Sequence, residues 1–250
     1  GVYSKSPPPI AAMRGCGEEY SECSLEASAN LLQDIIYMMG RTDDPKEENL
    51  FFKFQSVTTR TMQTFRMAFP TTPWIFLYRD PVEVMMSQLD VPRGARPNCV
   101  KSKNSSPAVR SFIAKSEYRA EDFTDEEFCA VHLATLCASA YENLDDAEGL
   151  GMAVNYSPDL VHDFLDTVFP KHFHTPVDRA GRDRVLKISG TYSKNRGRHE
   201  EGDFKPDSEE KARKAPEEVK DAAKDFLEPV YNKLQQSEYN IDPSSGDDAA

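Results

Sequence analysis

The chain has 250 residues, which is enough for one large α/β domain or two small ones. Its formal net charge of −12 argues against general nucleic-acid binding, which needs a basic surface, but allows a local basic pocket for an anionic cofactor. No apolar stretch approaches the ~20 residues of a membrane-spanning helix. Because the chain starts at Gly1 without an initiator methionine or a signal-peptide pattern, we expect a processed chain or a fragment.

The N-terminal third predicts alternating helices and strands. Ser24 suits the cap of a helix that stops at Gly40, whereas the prolines at residues 7–9 argue against regular structure there. The predicted elements are an extended segment at residues 2–4, a helix at 24–39, a buried strand at 50–54 and a helix at 58–68. This order is typical of a parallel sheet with crossover helices.

Residues 73–87 predict a buried strand followed at once by a capped helix. Residues 74–78 form an apolar run of aromatic and β-branched types, as expected of a strand that is covered on both faces. Asp80 fits the helix N-cap, Pro81 fits the first helical position, and Glu83 is expected to close a capping box on Asp80.

Arg79 is therefore predicted at the carboxyl end of a strand, and Ser87 two turns into the next helix. Ligands of open α/β sheets bind at that edge, and an arginine fork beside a hydroxyl suits a phosphate group. The spacing equally allows a structural role, in which Arg79 pairs with a nearby carboxylate and Ser87 faces solvent.

The rest of the chain predicts further α/β elements and polar connections. The predicted elements are a mobile loop or substrate lid at residues 90–107, a long helix at 126–144, a strand at 152–156, a helix at 158–169, an amphipathic helix at 216–236 and a disordered tail at 239–250. We therefore expect one α/β domain that spans residues 1–238.

The five cysteines form no C-x-x-C pair, and we interpret them as buried thiols. Cys129 and Cys137 lie in one predicted helix, more than two turns apart, so they cannot bridge each other. Cys16 and Cys23 could pair in an oxidising compartment.

Several common sites are missing from the sequence. There is no G-x-x-x-x-G-K-[ST] phosphate loop, no G-x-G-x-x-G motif and no recognisable nucleophile turn. His172 and His174 would share a face only in a strand, and the preceding residues indicate a loop, so we predict no metal site.

Lys53 interrupts an apolar run. It either emerges at the carboxyl end of its strand beside Arg79 or is a snorkelling lysine of an edge strand.

At this point the sequence resembles a known family. The segment 50–56 and the segment 69–87, with its Arg79-Asp80-Pro81 motif, are similar to sulfotransferases that use 3′-phosphoadenosine-5′-phosphosulfate (PAPS). The resemblance implies a P-loop NTPase-like fold, in which a parallel sheet is flanked by helices in three layers and a long helix lies near the C-terminus. It also implies transfer of a sulfuryl group to a hydroxyl or amine of a small-molecule or glycan acceptor, without a metal ion.

The resemblance also implies roles for individual residues. Arg79 and Ser87 stand where the family binds the 3′-phosphate of PAPS or of its product PAP. Lys53 stands where the family places a lysine beside the transferred sulfuryl group.

The resemblance extends more weakly into the C-terminal half of the chain. Tyr156 matches a tyrosine near the adenine ring. Lys194, Arg196 and Gly197 resemble a basic loop that closes over the 3′-phosphate.

The sequence departs from the family in two places. The family's first βα unit, with the loop that grips the 5′-phosphosulfate, would precede Gly1, so we expect it upstream or on a partner chain. Gln55 stands where many members carry a histidine base, and glutamine cannot accept a proton.

Two alternative functions therefore stay open. One is a non-catalytic sulfotransferase-like binding or scaffold subunit, and the other is a nucleotide kinase-like P-loop protein. Homo-oligomerisation is also open.

Overall fold

Parallel strand pairs form two small sheets in the computed structural model, which describes residues 1–4, 6–16, 23–92, 95–101, 107–115, 123–145, 149–189 and 208–241. Strand β1 (Val2–Ser4) pairs with β2 (Phe51–Lys53). Strand β3 (Trp74–Tyr78) pairs with β4 (Gly151–Asn155), which pairs with β5 (Asn240–Ile241). The α/β class is confirmed, but within the described residues β2 and β3 do not pair, so the expected single sheet is divided.

Helices account for most of the described residues. The α-helices are α1 (Pro7–Arg14), α2 (Leu25–Met39), α3 (Met62–Ala68), α4 (Pro81–Leu89), α5 (Asn98–Lys101), α6 (Pro107–Ala114), α7 (Asp125–Asp145), α8 (Leu160–Asp163), α9 (Arg179–Ser189), α10 (Ser208–Lys214), α11 (Glu217–Ala222) and α12 (Glu228–Gln235). A 3₁₀ turn, Ser56–Thr61, precedes α3, and π-helical segments, Phe164–His172 and Ala223–Leu227, follow α8 and α11. No described helix is both long and apolar enough to cross a membrane.

Local hydrogen bonds explain why several predicted boundaries are correct. The Ser24 hydroxyl accepts a hydrogen bond from the Ala27 N–H at 3.1 Å and caps α2. At the other end of α2, the Gly40 N–H donates to the Ile36 carbonyl at 2.8 Å. These contacts depend on neighbouring residues alone, which is why sequence reasoning finds them.

Three expectations about irregular segments are wrong in part. The prolines at residues 7–9 occupy the first turn of α1, where a helix needs no N–H donor, so they begin the helix rather than prevent it. Within the predicted loop 90–107, Asn98–Lys101 is helical and buries Cys99 and Val100. Within the predicted tail 239–250, residues 240–241 form β5 because they continue the sheet beside β4.

Two disulfides correct the expectation of buried thiols. Cys99 and Cys129 join α5 to α7, with their Cα atoms 4.9 Å apart and both residues buried. Cys16 and Cys23 also pair, which joins the end of α1 to the segment before α2. The pairing of Cys99 with Cys129 depends on the packing of α5 against α7 and cannot be read from sequence spacing. Cys137 is free, and burial raises the pKa of its thiol to about 12.

The hydrophobic core has α7 at its centre. Phe128 and Val131 of this helix are fully buried in a cluster with Met85 of α4 and with Phe226. Leu144, near the end of the same helix, packs against Trp74 of β3 in a second cluster. A third cluster lies between α1, α2 and the β1–β2 sheet.

His172 ties the π-helical segment to β3. Its Nε2–H donates to the Trp74 carbonyl at 3.0 Å, and the imidazole is largely buried. Burial lowers the pKa of His172, the hydrogen bond to Trp74 raises it, and nearby His174 lowers it. His174 itself has a left-handed backbone with φ of 51° and is exposed. One histidine is therefore buried and the other faces solvent.

Alkylation under denaturing, non-reducing conditions should modify Cys137 alone, because the other four cysteines are in disulfides. After reduction, peptide mass spectrometry should find all five cysteines modified. Modification of Cys99 or Cys129 before reduction would contradict the pairing.

The stability of the native chain should fall as the pH falls through the ordinary histidine pKa of about 6.5. The reason is that the unfolded state, in which His172 has its ordinary pKa, binds a proton more readily than the native state does. Urea unfolding at pH 7.5 and 5 should show a smaller pH-dependent loss for His172→Gln than for the unsubstituted chain. The exposed His162→Gln is the matched control and should retain the full loss.

Candidate functional site

Arg79 and Tyr156 meet at the carboxyl ends of β3 and β4. Each residue directly follows its strand, and the two strands are paired in parallel with Tyr78 opposite Asn155. The guanidinium carbon of Arg79 lies over the Tyr156 ring, 4.9 Å from its centroid, which is within cation–π distance. The pairing of two strands therefore joins two predicted site residues that are far apart in sequence.

Glu83 holds the Arg79 guanidinium from the first turn of α4. Its Oε2 accepts a hydrogen bond from Arg79 Nε at 2.5 Å, and both side chains are mostly shielded from solvent. Asp80 caps the helix as predicted, because its Oδ1 accepts from the Glu83 N–H at 3.0 Å. The Glu83 carboxylate, which we expected to close a capping box on Asp80, binds Arg79 instead.

Ser87 lies one turn beyond Glu83 on the same side of α4, and it is exposed. Arg79, Glu83 and Ser87 thus follow one another at four-residue spacing from the strand end along one side of the helix. The Glu83 carboxylate therefore lies between the cation and the hydroxyl, and of these three residues Ser87 alone is exposed.

Tyrosine and asparagine side chains support this edge from α12 and β5. The Tyr231 hydroxyl accepts from Asn155 Nδ2 at 3.3 Å, and the Tyr231 ring packs edge-on against Tyr78 at 5.4 Å. Tyr78 donates its hydroxyl to Asn240 Oδ1 at 2.8 Å. Burial raises the pKa of Tyr231, as do the negative charges of Asp80 and Glu83, while the Asn155 contact lowers it.

The side chain of Asn155 has an unfavourable environment at this edge. Among the described residues its Oδ1 is buried and has no hydrogen-bond partner, which is unfavourable for a polar atom. Sequence reasoning did not identify Asn155, Tyr231 or Asn240 as part of the site. The available sequence signal was the position of Tyr231 at the polar border of the predicted amphipathic helix. Tyrosines at such positions are common on protein surfaces that bind nothing.

Lys53 is not brought into contact with Arg79. It ends β2, in the other sheet, and its side chain is exposed. Gln55 follows it and is exposed as well. The predicted residues Lys194, Arg196 and Gly197 lie outside the described part of the chain.

Other features of the described residues lie away from this edge. A cavity of about 270 Å³ opens between α6, α7 and the C-terminal helical segment, and its lining includes Phe112, Tyr141 and Val230. None of the predicted site residues lines it. No group of three or more metal-ligating side chains occurs in the described ranges.

No protein-family model, curated protein or solved structure matches this chain.

Removing the Tyr156 ring should weaken this edge. Tyr156→Leu should destabilise the chain by about 0.5–1 kcal/mol in urea unfolding, because the cation–π contact with Arg79 is lost. Tyr156→Phe is the matched control. It keeps the ring and should change the free energy of unfolding by less than about 0.5 kcal/mol. Equal destabilisation by both substitutions would contradict a role for the Arg79–Tyr156 contact.

Proposed function

We propose that this chain is the nucleotide-binding part of a PAPS-dependent sulfotransferase with a P-loop NTPase-like fold. The observation that carries the proposal is the stacking of Arg79 on Tyr156 at the carboxyl edge of two adjacent parallel strands. A cation and an aromatic ring side by side at that edge suit a phosphorylated nucleoside. The family resemblance predicted that these two residues contact the same cofactor.

In this proposal Arg79 binds the 3′-phosphate of the cofactor by charge-assisted hydrogen bonds, and the exposed Ser87 hydroxyl donates a further one. Glu83 fixes the orientation of the guanidinium, which reduces the entropy lost when the phosphate binds. Tyr156 offers an aromatic ring to the adenosine. These contacts bind cofactor and transition state alike, so their removal is expected to weaken cofactor binding more than the chemical step.

Sulfuryl transfer would proceed by in-line attack. The acceptor oxygen or nitrogen forms a bond to sulfur while the bond from sulfur to the phosphate oxygen breaks, and PAP leaves. Lys53 would stabilise the negative charge on the sulfuryl or bridging oxygens. The acceptor proton goes to a base that is not among the identified residues. The sequence has no phosphate-loop motif for the 5′-phosphosulfate, so the proposal assigns residues to the 3′-phosphate, the adenosine and the sulfuryl group alone.

A non-catalytic binding subunit is the second candidate. The observation that favours it is Gln55, which occupies the position of the family's histidine base and cannot take up a proton. Both candidates bind PAP. Only the enzyme transfers the sulfuryl group once the phosphate loop is supplied.

Calorimetry with PAP tests the shared part of both candidates. Arg79→Ala should lose about 2–3 kcal/mol of PAP binding free energy, the scale of a charged hydrogen-bonded contact. The matched control is Arg184→Ala on the exposed face of α9, which should bind PAP like the unsubstituted chain. Equal affinity of the unsubstituted chain for PAP and for AMP would contradict the 3′-phosphate assignment.

A further inference from the structure

Small side chains leave a hollow between α7 and the C-terminal helical segment. The cavity of about 270 Å³ is lined on one side by Ala134 and Ala138, which lie one turn apart on α7. Phe226 and Val230 line the facing wall, and Phe112 of α6 closes a third side. Because an alanine side chain ends at its Cβ atom, the space between the two helices is not filled. Apolar walls of this kind are typical of cavities that bind small organic molecules.

A π-helical segment forms part of the same wall. At the end of Ala223–Leu227, the Glu228 N–H donates to the Ala223 carbonyl, which lies five residues earlier rather than four. Pro229, which also lines the cavity, has no N–H and cannot restore the regular pattern at the next residue. Short π-helical segments are rare and occur frequently at functional sites. This segment contributes Asp225 to the lining of the cavity.

Three charged residues line the cavity beside these apolar groups. They are Glu142, Asp225 and Lys233, all of which are exposed, and none of them forms an ion pair with a described residue. Two unpaired carboxylates and one ammonium group give the lining a net negative charge. The lining therefore favours a cationic ligand over an anionic one.

The two ends of the cavity differ in charge. The first half of α7 shares a hydrophobic cluster with residues 215–230, and its last turns share another with Leu234, so the two helical segments run in the same direction. Glu142 and Lys233 both belong to the last turns, where their charges offset each other. Asp225 lies eight residues before Lys233, about 12 Å along a helix axis. At that end no described basic residue lines the cavity.

We propose that this cavity binds a small apolar amine in its protonated form. The apolar part of the ligand lies against Ala134, Ala138 and Phe226, and its ammonium group faces Asp225. An apolar cavity of about 150 Å³ holds one benzene molecule, so this cavity suits a ligand of about ten non-hydrogen atoms. A ligand of that size is a free small molecule rather than a protein segment. None of the residues proposed to bind the nucleotide lines the cavity, so the inference does not depend on the proposed function.

Three probes of similar shape and different charge test the proposal. Phenethylamine, phenethyl alcohol and phenylacetate share a phenyl ring on a short chain and are positive, neutral and negative at neutral pH. A ligand-observed NMR titration of the full chain should show saturable binding of the amine. The alcohol should bind about two- to fivefold more weakly, which is the scale of an exposed charge pair, and phenylacetate should bind most weakly.

Two variants show where the amine binds. Ala138→Leu fills the hollow and should abolish saturable binding of phenethylamine, whereas Ala27→Leu, the same exchange at an exposed position of α2, should leave it unchanged. Asp225→Asn should remove the difference in affinity between the amine and the alcohol. Asp34→Asn removes the same charge from an exposed position of α2 and should keep that difference. Because Asp225 is exposed, its exchange should leave the fold intact even if Ala138→Leu does not.

Several outcomes would overturn the inference. One is the absence of saturable phenethylamine binding, and another is equal affinity for all three probes. A preference for the amine that persists in Asp225→Asn, or amine binding that persists in folded Ala138→Leu, would place the probe elsewhere on the surface. Failure of the chain to bind PAP while it binds phenethylamine would contradict the proposed function alone.

Discussion

The parallel pairing of β3 with β4 is the interaction on which the candidate site depends. It sets Tyr78 beside Asn155, so the residues that follow them, Arg79 and Tyr156, leave the sheet at the same edge. The pairing is supported from the buried face by Trp74, Leu144 and Leu234. The site therefore consists of side chains that follow the ends of two paired strands, whereas Ser87 on α4 is exposed.

The sequence predicts best those features that depend on near neighbours. The bounds of β3, the caps of α2 and α4 and the length of α7 follow from apolar runs and capping residues, and the structure confirms them. The family resemblance assigned Arg79 and Tyr156 to different parts of one cofactor, and the direct contact between them was not predicted. The residue spacing left open whether Arg79 pairs with a carboxylate. In the structure Arg79 pairs with the carboxylate of Glu83.

Features that depend on tertiary packing were not predictable in the same way. The Cys99–Cys129 disulfide and the contact between Tyr231 and Asn155 join residues that are distant in sequence. The division of the sheet likewise depends on which distant strands pair. Lys53 ends β2 and Arg79 directly follows β3, and the two strands belong to different sheets.

The most direct test of the central claim is an NMR titration that follows the Arg79 Nε–H and the Tyr156 ring signals with PAP and with AMP. We predict that both signals shift with PAP at concentrations at which AMP leaves them unchanged, because the 3′-phosphate binds Arg79 beside the Tyr156 ring. Shifts from PAP that map to other residues, or identical shifts from PAP and AMP, would contradict the account.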